Sequence, residues 1–301
     1  MGELYCMKKN MTYRIEEGNI TIKDFLLSNN ISSKAISTLK KQVDGILVNG
    51  KVQFTNYKLQ PNDILSINLD ENNDYENIIA TKMDLNILYE DDDIVIVNKS
   101  ADITVHPSKK YFTNSLVNGL TYYYQNKNMD VKLHCITRLD KETSGCVLFA
   151  KNRIAANCLS NMVKQKEISK TYLSLASGKV SKQHFLISAP ISRVSKGNIL
   201  RCVDFQTGKE ALTEFFLLGY YPSNDISLLK CLLHTGRTHQ IRVHLQYINH
   251  PIVSDSLYNK SCNLLLRQGL HCYNIRFIHP ISHQLIDVTS QLPADLKQVL
   301  I

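Results

Sequence analysis

The chain has 301 residues, 44% of them hydrophobic and 21% charged, with a formal net charge of +8. That length holds one large domain and a small one around a sizeable core, while the absence of any run of about 18 apolar residues argues against a membrane span. Residues 1–10 lack the apolar centre of a secretory signal, and eight cysteines stand singly with no Cys-x-x-Cys pair, so they read as small buried hydrophobes in a reducing cytosol and not as a disulfide framework or zinc site.

The charge is uneven along the chain. Residues 1–70 carry nine basic and seven acidic side chains, 71–93 one basic and eight acidic, and 94–301 carry 25 basic and 12 acidic. A strongly basic C-terminal body is expected of a protein that meets phosphate backbones.

Residues 11–70 read as a compact module. Ile22, Phe25 and Leu26 recur at helical spacing. Ser32 and Ser33 offer a cap for a second helix over 34–42, with Ile36 and Leu39 on one side and Lys34, Lys40 and Lys41 on another. Gly45 ends it, Ile46-Leu47-Val48 predicts a strand, Asn49-Gly50 a hairpin turn, and Pro61-Asn62-Asp63 a turn into the strand 64–67. Residues 71–76 are acidic, Asn-rich and poor in apolar side chains, which predicts a linker extending over 71–86.

From 87 to 301 the pattern changes. Strands are predicted at 87–90 and 94–97 around the acidic turn 91–93. A helix follows over 111–124, then a buried strand at 146–149. Asn152 is a cap for a helix with Ala155, Leu159, Met162 and Val163 on its face. Further strands are predicted at 169–175, 215–220 and 226–233, with a hairpin of 270–277 and 285–288. Several strand runs joined by few helices, without steady strand–helix alternation, predict an α+β fold with a mixed, largely antiparallel sheet, preceded by a small N-terminal α/β module.

Two segments are dense in chemistry. The stretch 135–149 places Arg138 and Asp140 around apolar Leu139, then Lys141-Glu142-Thr143-Ser144-Gly145 before the buried strand. Period-two alternation turns Arg138 and Asp140 to the same side. A polar loop on a rigid strand is a common carrier of function, and a surface ion pair is the plain alternative. The second stretch, 233–245, contains Thr235-Gly236-Arg237-Thr238-His239-Gln240-Ile241-Arg242. Thr238 is a candidate cap, and Ile241, Leu245 and Ile248 share a helical face. His234, His239 and His244, five apart, do not share one, so no metal site is read from them.

Arg138-Leu139-Asp140-x-x-Thr143-Ser144-Gly145 resembles the signature of the RluA/RluD family of RNA pseudouridine synthases, with Thr137 where the family usually has His. The segment 235–242 matches the family without departure. Residues 98–107 resemble its Lys-Pro-x-Gly-x-x-Val-His-Pro segment, with Ser100 and Asp102 replacing Pro and Gly; Lys99 and His106 there read as residues that shape the cleft. The module 11–70 resembles the small RNA-binding domain named after ribosomal protein S-four.

The resemblance implies an isomerase acting on uridine in RNA, with large-subunit ribosomal RNA as the expected target and no cofactor or metal. The expected protein is cytoplasmic, monomeric and free of the membrane. It implies Asp140 as the catalytic carboxylate, Arg242 as its basic partner and Tyr172, in Lys170-Thr171-Tyr172, as the catalytic residue that lies against the target base and assists proton removal from the ribose or base. Arg138 is implied to fill the gap left by the extruded nucleotide. Arg237 is read as an RNA contact and as the alternative partner of Asp140, and Lys34, Lys40 and Lys41 as phosphate contacts. Tyr172 also reads as an ordinary strand core residue. A buried carboxylate that must stay ionised benefits from a guanidinium, which never deprotonates and grips bidentately. The rival reading is a non-catalytic RNA-binding or ribosome-assembly protein that keeps the fold, supported by the departures at 100, 102 and 137.

Overall fold

The computed structural model describes residues 10–68, 78–108 and 111–301; the acidic stretch 71–76 lies outside them. The N-terminal unit runs β1 (Asn10–Arg14), α1 (Ile22–Ser28), α2 (Ser33–Leu39), β2 (Ile46–Val48), β3 (Lys51–Val52) and β4 (Ile64–Asn68). Its four strands order as β1-β4-β2-β3, all antiparallel. Thr21 and Ser32 cap the two helices through their side-chain oxygens, as a hydroxyl at that position does. α2 ends at Leu39, so Lys40 and Lys41 lie just beyond the helix, exposed, and not along its face. The side chain of Lys34 lies outside the described residues.

The larger unit contains β5 (Asn86–Glu90), β6 (Ile94–Lys99), α3 (Leu116–Asn126), β7 (His134–Cys135), β8 (Ser144–Ala150), α4 (Arg153–Lys164) and β9 (Ser169–Ser177). It continues with β10 (His184–Ser188), β11 (Ile191–Arg193), β12 (Arg201–Val203), β13 (Leu212–Tyr221), β14 (Ile226–Leu233), α5 (Gln240–Tyr247), β15 (Leu270–Ile278), β16 (Leu285–Thr289) and α6 (Ala294–Gln298). Ten of these strands form one sheet along β10-β13-β14-β9-β15-β8-β6-β5, with β16 on β15 and β7 on β8. The β15–β8 contact is parallel and the other pairings are antiparallel, so the fold is α+β with a mixed, largely antiparallel sheet.

The central strands are apolar on both faces because both faces are covered. On β6, Ile94 and Ile96 join one core with Leu148, Ala155, Leu159 and Met162, while Val95 and Val97 join another with Phe149, Leu116 and Leu120. All seven residues of β8 are buried, each large side chain contributing on the order of 1.5–3 kcal/mol.

Several elements depart from the sequence expectation. The helix expected over 111–124 starts only at Leu116, where Ser115 and Asn118 form a capping box. Val163 faces solvent, 42% exposed, while Ile154 and Cys158 of α4 are buried instead. These two side chains join the core of the N-terminal unit, and Asn161 Nδ2 donates to Asn30 O at 2.7 Å. α4 therefore has one face for the large sheet and another for the small one. In the expected linker, residues 78–85 lie along α3: Asn118 Nδ2 donates to Ile79 O and Thr81 N to Asn118 O.

Candidate active site

Asp140 lies on the loop between β7 and β8, and each residue after it is tied down from outside. Lys99 Nζ donates to Lys141 O at 2.8 Å, and Arg267 Nη1 to Glu142 O at 3.3 Å. Gln268 Nε2 donates to Thr143 Oγ1 at 2.5 Å. Ser144 Oγ meets His271 Nδ1 at 2.8 Å; because His271 Nε2 faces the Ser290 carbonyl, which only accepts, Nε2 carries the proton and the serine hydroxyl donates. The polar run 141–144 thus serves to immobilise the loop that presents Asp140.

Gly145 fixes where that loop enters the sheet. Its φ is +112°, and a Cβ there would stand 2.2 Å from Cys272 O, so only glycine fits between β8 and β15. The same register brings Tyr172 into place: Cys272 is opposite Gly145 on one side and opposite Tyr172 of β9 on the other. Tyr172 is buried, and that burial, with Cys272 and the charge of Asp140 adding to it, holds its phenol well above the usual range. It is a neutral phenol at physiological pH.

The third component comes from α5. Arg242, 4% exposed, donates from Nη1 to Asp140 Oδ2 at 2.8 Å, while the Asp140 side chain is 32% exposed. The rest of the guanidinium fork closes on Asp255: Nε to Oδ2 at 2.7 Å and Nη2 to Oδ1 at 2.8 Å. Tyr258 lies under the guanidinium, its ring centroid 5.1 Å from Cζ. His239 completes the wall, with Nε2 3.7 Å from Asp140 Oδ2 and Nδ1 2.8 Å from the Tyr258 hydroxyl. Burial pulls His239 below its ordinary pKa, against the opposing influence of Asp140.

Arg237, the alternative partner, is exposed and turned away, its Nε donating to Glu210 O at 2.9 Å. The guanidinium that meets Asp140 therefore belongs to Arg242, and not to Arg237 or to the neighbouring Arg138. Arg138 is exposed on the same loop, near enough to His106 that its charge, after burial, lowers the imidazole pKa. Thr238 does not cap α5. His239 does so in a left-handed conformation, φ 59°, without a side-chain hydrogen bond, and Gln240 Oε1 instead accepts from Arg237 N at 2.9 Å. The three histidines of this segment diverge: His234 pairs with Glu214, His244 with Thr213 and Ala189 O.

The departures from the family pattern have local explanations. Thr137 is buried, its Oγ1 accepting from Leu148 N at 2.9 Å, so it completes the backbone of β8. Asp102 has φ 68°, the conformation that the family's glycine would supply and that Asp tolerates. Lys99 is fully buried and donates to the carbonyls of Ser100, Ile103 and Lys141. Burial, then the charge of Arg267, pulls its pKa down to about 7.

Asp255 and Tyr258 belong to no motif of the sequence, and His239 stands out only as part of the segment 235–242. The available signal was a lone acid after the apolar run Pro251-Ile252-Val253, which is a weak one.

With this geometry established, comparison with known proteins is direct. The family described as RNA pseudouridylate synthase matches residues 93–247. A relative described as the uncharacterized RNA pseudouridine synthase YjbO of Bacillus subtilis (strain 168) is 31% identical over 281 residues, covering 93% of this chain and 98% of the relative. The ribosomal large subunit pseudouridine synthase D of Blochmanniella floridana is 30% identical over 300 residues, 92% of each. Among solved structures, human RNA pseudouridylate synthase domain containing 1 superposes with a TM-score of 0.60 at 27% identity, over 72% of this chain and 87% of that one. No described helix is long and apolar enough to cross a membrane. The chain belongs to the RNA pseudouridylate synthase family, as an isomerase of the RluA/RluD type.

Proposed function

We propose that the protein converts specific uridines of large-subunit ribosomal RNA to pseudouridine, with Asp140 as the carboxylate that acts at the glycosidic bond. The observation that carries this reading is the pairing of a partly exposed carboxylate with a buried guanidinium. Asp140 has one oxygen fixed by Arg242 while its side chain stays 32% open to an incoming ribose. The relatives named as large-subunit synthases support the choice of RNA.

The reaction breaks the bond between uracil N1 and ribose C1′ and forms one between C5 and C1′. The C5 proton leaves and N1 gains one, so every atom of the product is already in the substrate and no cofactor or metal is required. The target base must first leave its stack, at a cost of a few kcal/mol. In this reading Arg138, exposed on the Asp140 loop, fills the vacancy, and Tyr172, buried on β9, lies against the extruded base. Its raised pKa suits a neutral, hydrogen-bonding phenol and not an ionised base.

In this reading residues 11–70 form an S-four-type RNA-binding domain joined through 71–86 to the catalytic domain 87–301. Lys34, Lys40, Lys41 and Arg237 contribute phosphate contacts that give affinity without choosing sequence. The enzyme acts as a cytoplasmic monomer. Mapping pseudouridine in ribosomal RNA from cells with and without the gene tests the assignment. Loss of one or a few large-subunit sites is expected, and an unchanged pattern there would contradict it.

A further inference from the structure

We infer that Asp255 is the positioning residue of the active site: it holds the Arg242 guanidinium so that a single edge remains for Asp140. This rests on the reading of Asp140 as the reacting carboxylate. Arg242 has five N–H groups. Asp255 takes Nε and one on Nη2, and the Tyr258 ring lies beneath the plane, leaving Nη1 for Asp140.

Asp255 is itself fixed. It has no exposed surface, and its Oδ1 also accepts from Leu257 N at 3.0 Å and Tyr258 N at 3.2 Å. Its segment is stitched to β9, where Val253 N donates to Leu175 O, and to Gly269, whose N donates to Val253 O. The chain of contacts therefore runs from β9 through Asp255 and Arg242 to Asp140. A carboxylate is needed at 255 because only two acceptor oxygens match the planar fork. An asparagine would keep one acceptor and turn an N–H₂ group against the guanidinium.

Tyr258 extends the same brace. Its hydroxyl accepts from Arg201 N at 2.9 Å and meets His239 Nδ1, so the ring that supports Arg242 also sets the imidazole nearest Asp140. Without Asp255 the guanidinium would be free to swing, and a displacement of about 1 Å at reacting groups lowers turnover by about a hundredfold.

The first test is kinetic. Asp255→Asn should lower kcat about a hundredfold with KM within about threefold. In an Arg242→Lys background, which has no fork to hold, the same change should cost less than about threefold. An equal loss in both backgrounds, or a kcat near that of the wild type, would overturn the inference.

A second measurement needs no variant at position 255. In ¹⁵N NMR of the full chain, the Arg242 Nε–H resonance, identified by its loss in Arg242→Lys, should be slow to exchange and should stay so in Asp140→Asn. Its loss in Asp140→Asn would show that Asp140 holds the arginine and overturn the role given to Asp255. An active Asp140→Asn enzyme that keeps the protected signal would instead contradict only the reading of Asp140.

Discussion

Asp255, with no exposed surface, grips Arg242 through two hydrogen bonds of 2.7 and 2.8 Å, and the same guanidinium reaches Asp140 at 2.8 Å. The two carboxylates differ in what they ask of the fold. Removing Arg242 leaves the Asp255 carboxylate in the interior without its counter-ion, with only the Leu257 and Tyr258 amides donating to it, which costs about 3–5 kcal/mol. Neutralising Asp140, whose side chain is 32% exposed, costs about 1 kcal/mol or less. Denaturant unfolding should therefore rank Arg242→Met far below Asp140→Asn in stability. Equal midpoints would mean that Arg242 is not the interior counter-ion described.

Gly145 makes a second stability prediction. An added methyl would stand 2.2 Å from Cys272 O on a backbone at φ +112°. Gly145→Ala should destabilise by about 2–5 kcal/mol through strain and overpacking together. Gly236→Ala, where nothing lies within 4 Å of the new atom, should change stability by less than about 0.5 kcal/mol. Comparable unfolding midpoints for the two variants would contradict the close β8–β15 approach.

Lys99 gives stability a dependence on pH. Burial and Arg267 lower its folded pKa to about 7 from 10.5. Below pH 7 the folded and unfolded states both hold the proton, and the full unfavourable contribution is present. Between about 7 and 10.5 the unfolded state holds a proton that the folded state has released, so stability rises with pH, by up to about 1.4 kcal/mol per unit. Wild type should gain on Lys99→Met when unfolding is compared at pH 7 and pH 9. The variant also leaves three carbonyls without a donor, which offsets its stability without adding this slope. Parallel pH dependence would contradict the lowered pKa.

Much of this was legible in the residues. The helix caps Ser32 and Asn152, the Asn49-Gly50 turn and the doubly apolar strands β6 and β8 depend on local rules, and the structure follows them. The short strands β7, β10, β11 and β12 and the helix α6 carry too few periodic residues to stand out. Around Leu139, which packs against both cores, only Arg138 is exposed; Asp140 is half-buried and turns to Arg242. Alternation could not say which guanidinium would meet the carboxylate. That partner lies 102 residues away and arrives through the placement of α5 across the sheet. Asp255 was illegible for the same reason, since its importance arises from a bidentate contact and not from a motif.

RNA affinity should be electrostatic in large part. Arg237, Lys40 and Lys41 are exposed, and each phosphate contact removed should lower the slope of log affinity against log salt by about 1. Measuring Kd for a ribosomal RNA stem-loop over a range of salt, for wild type and a triple alanine variant, checks this. An unchanged slope would remove these side chains from the RNA-binding surface.

The most direct test of the central claim is Asp140→Asn, assayed for release of labelled hydrogen from uracil C5 and for RNA binding in the same preparation. Isomerisation should fall below detection while Kd stays within about threefold, because the carboxylate acts on the bond and contributes little to docking. Retained isomerisation would contradict the account.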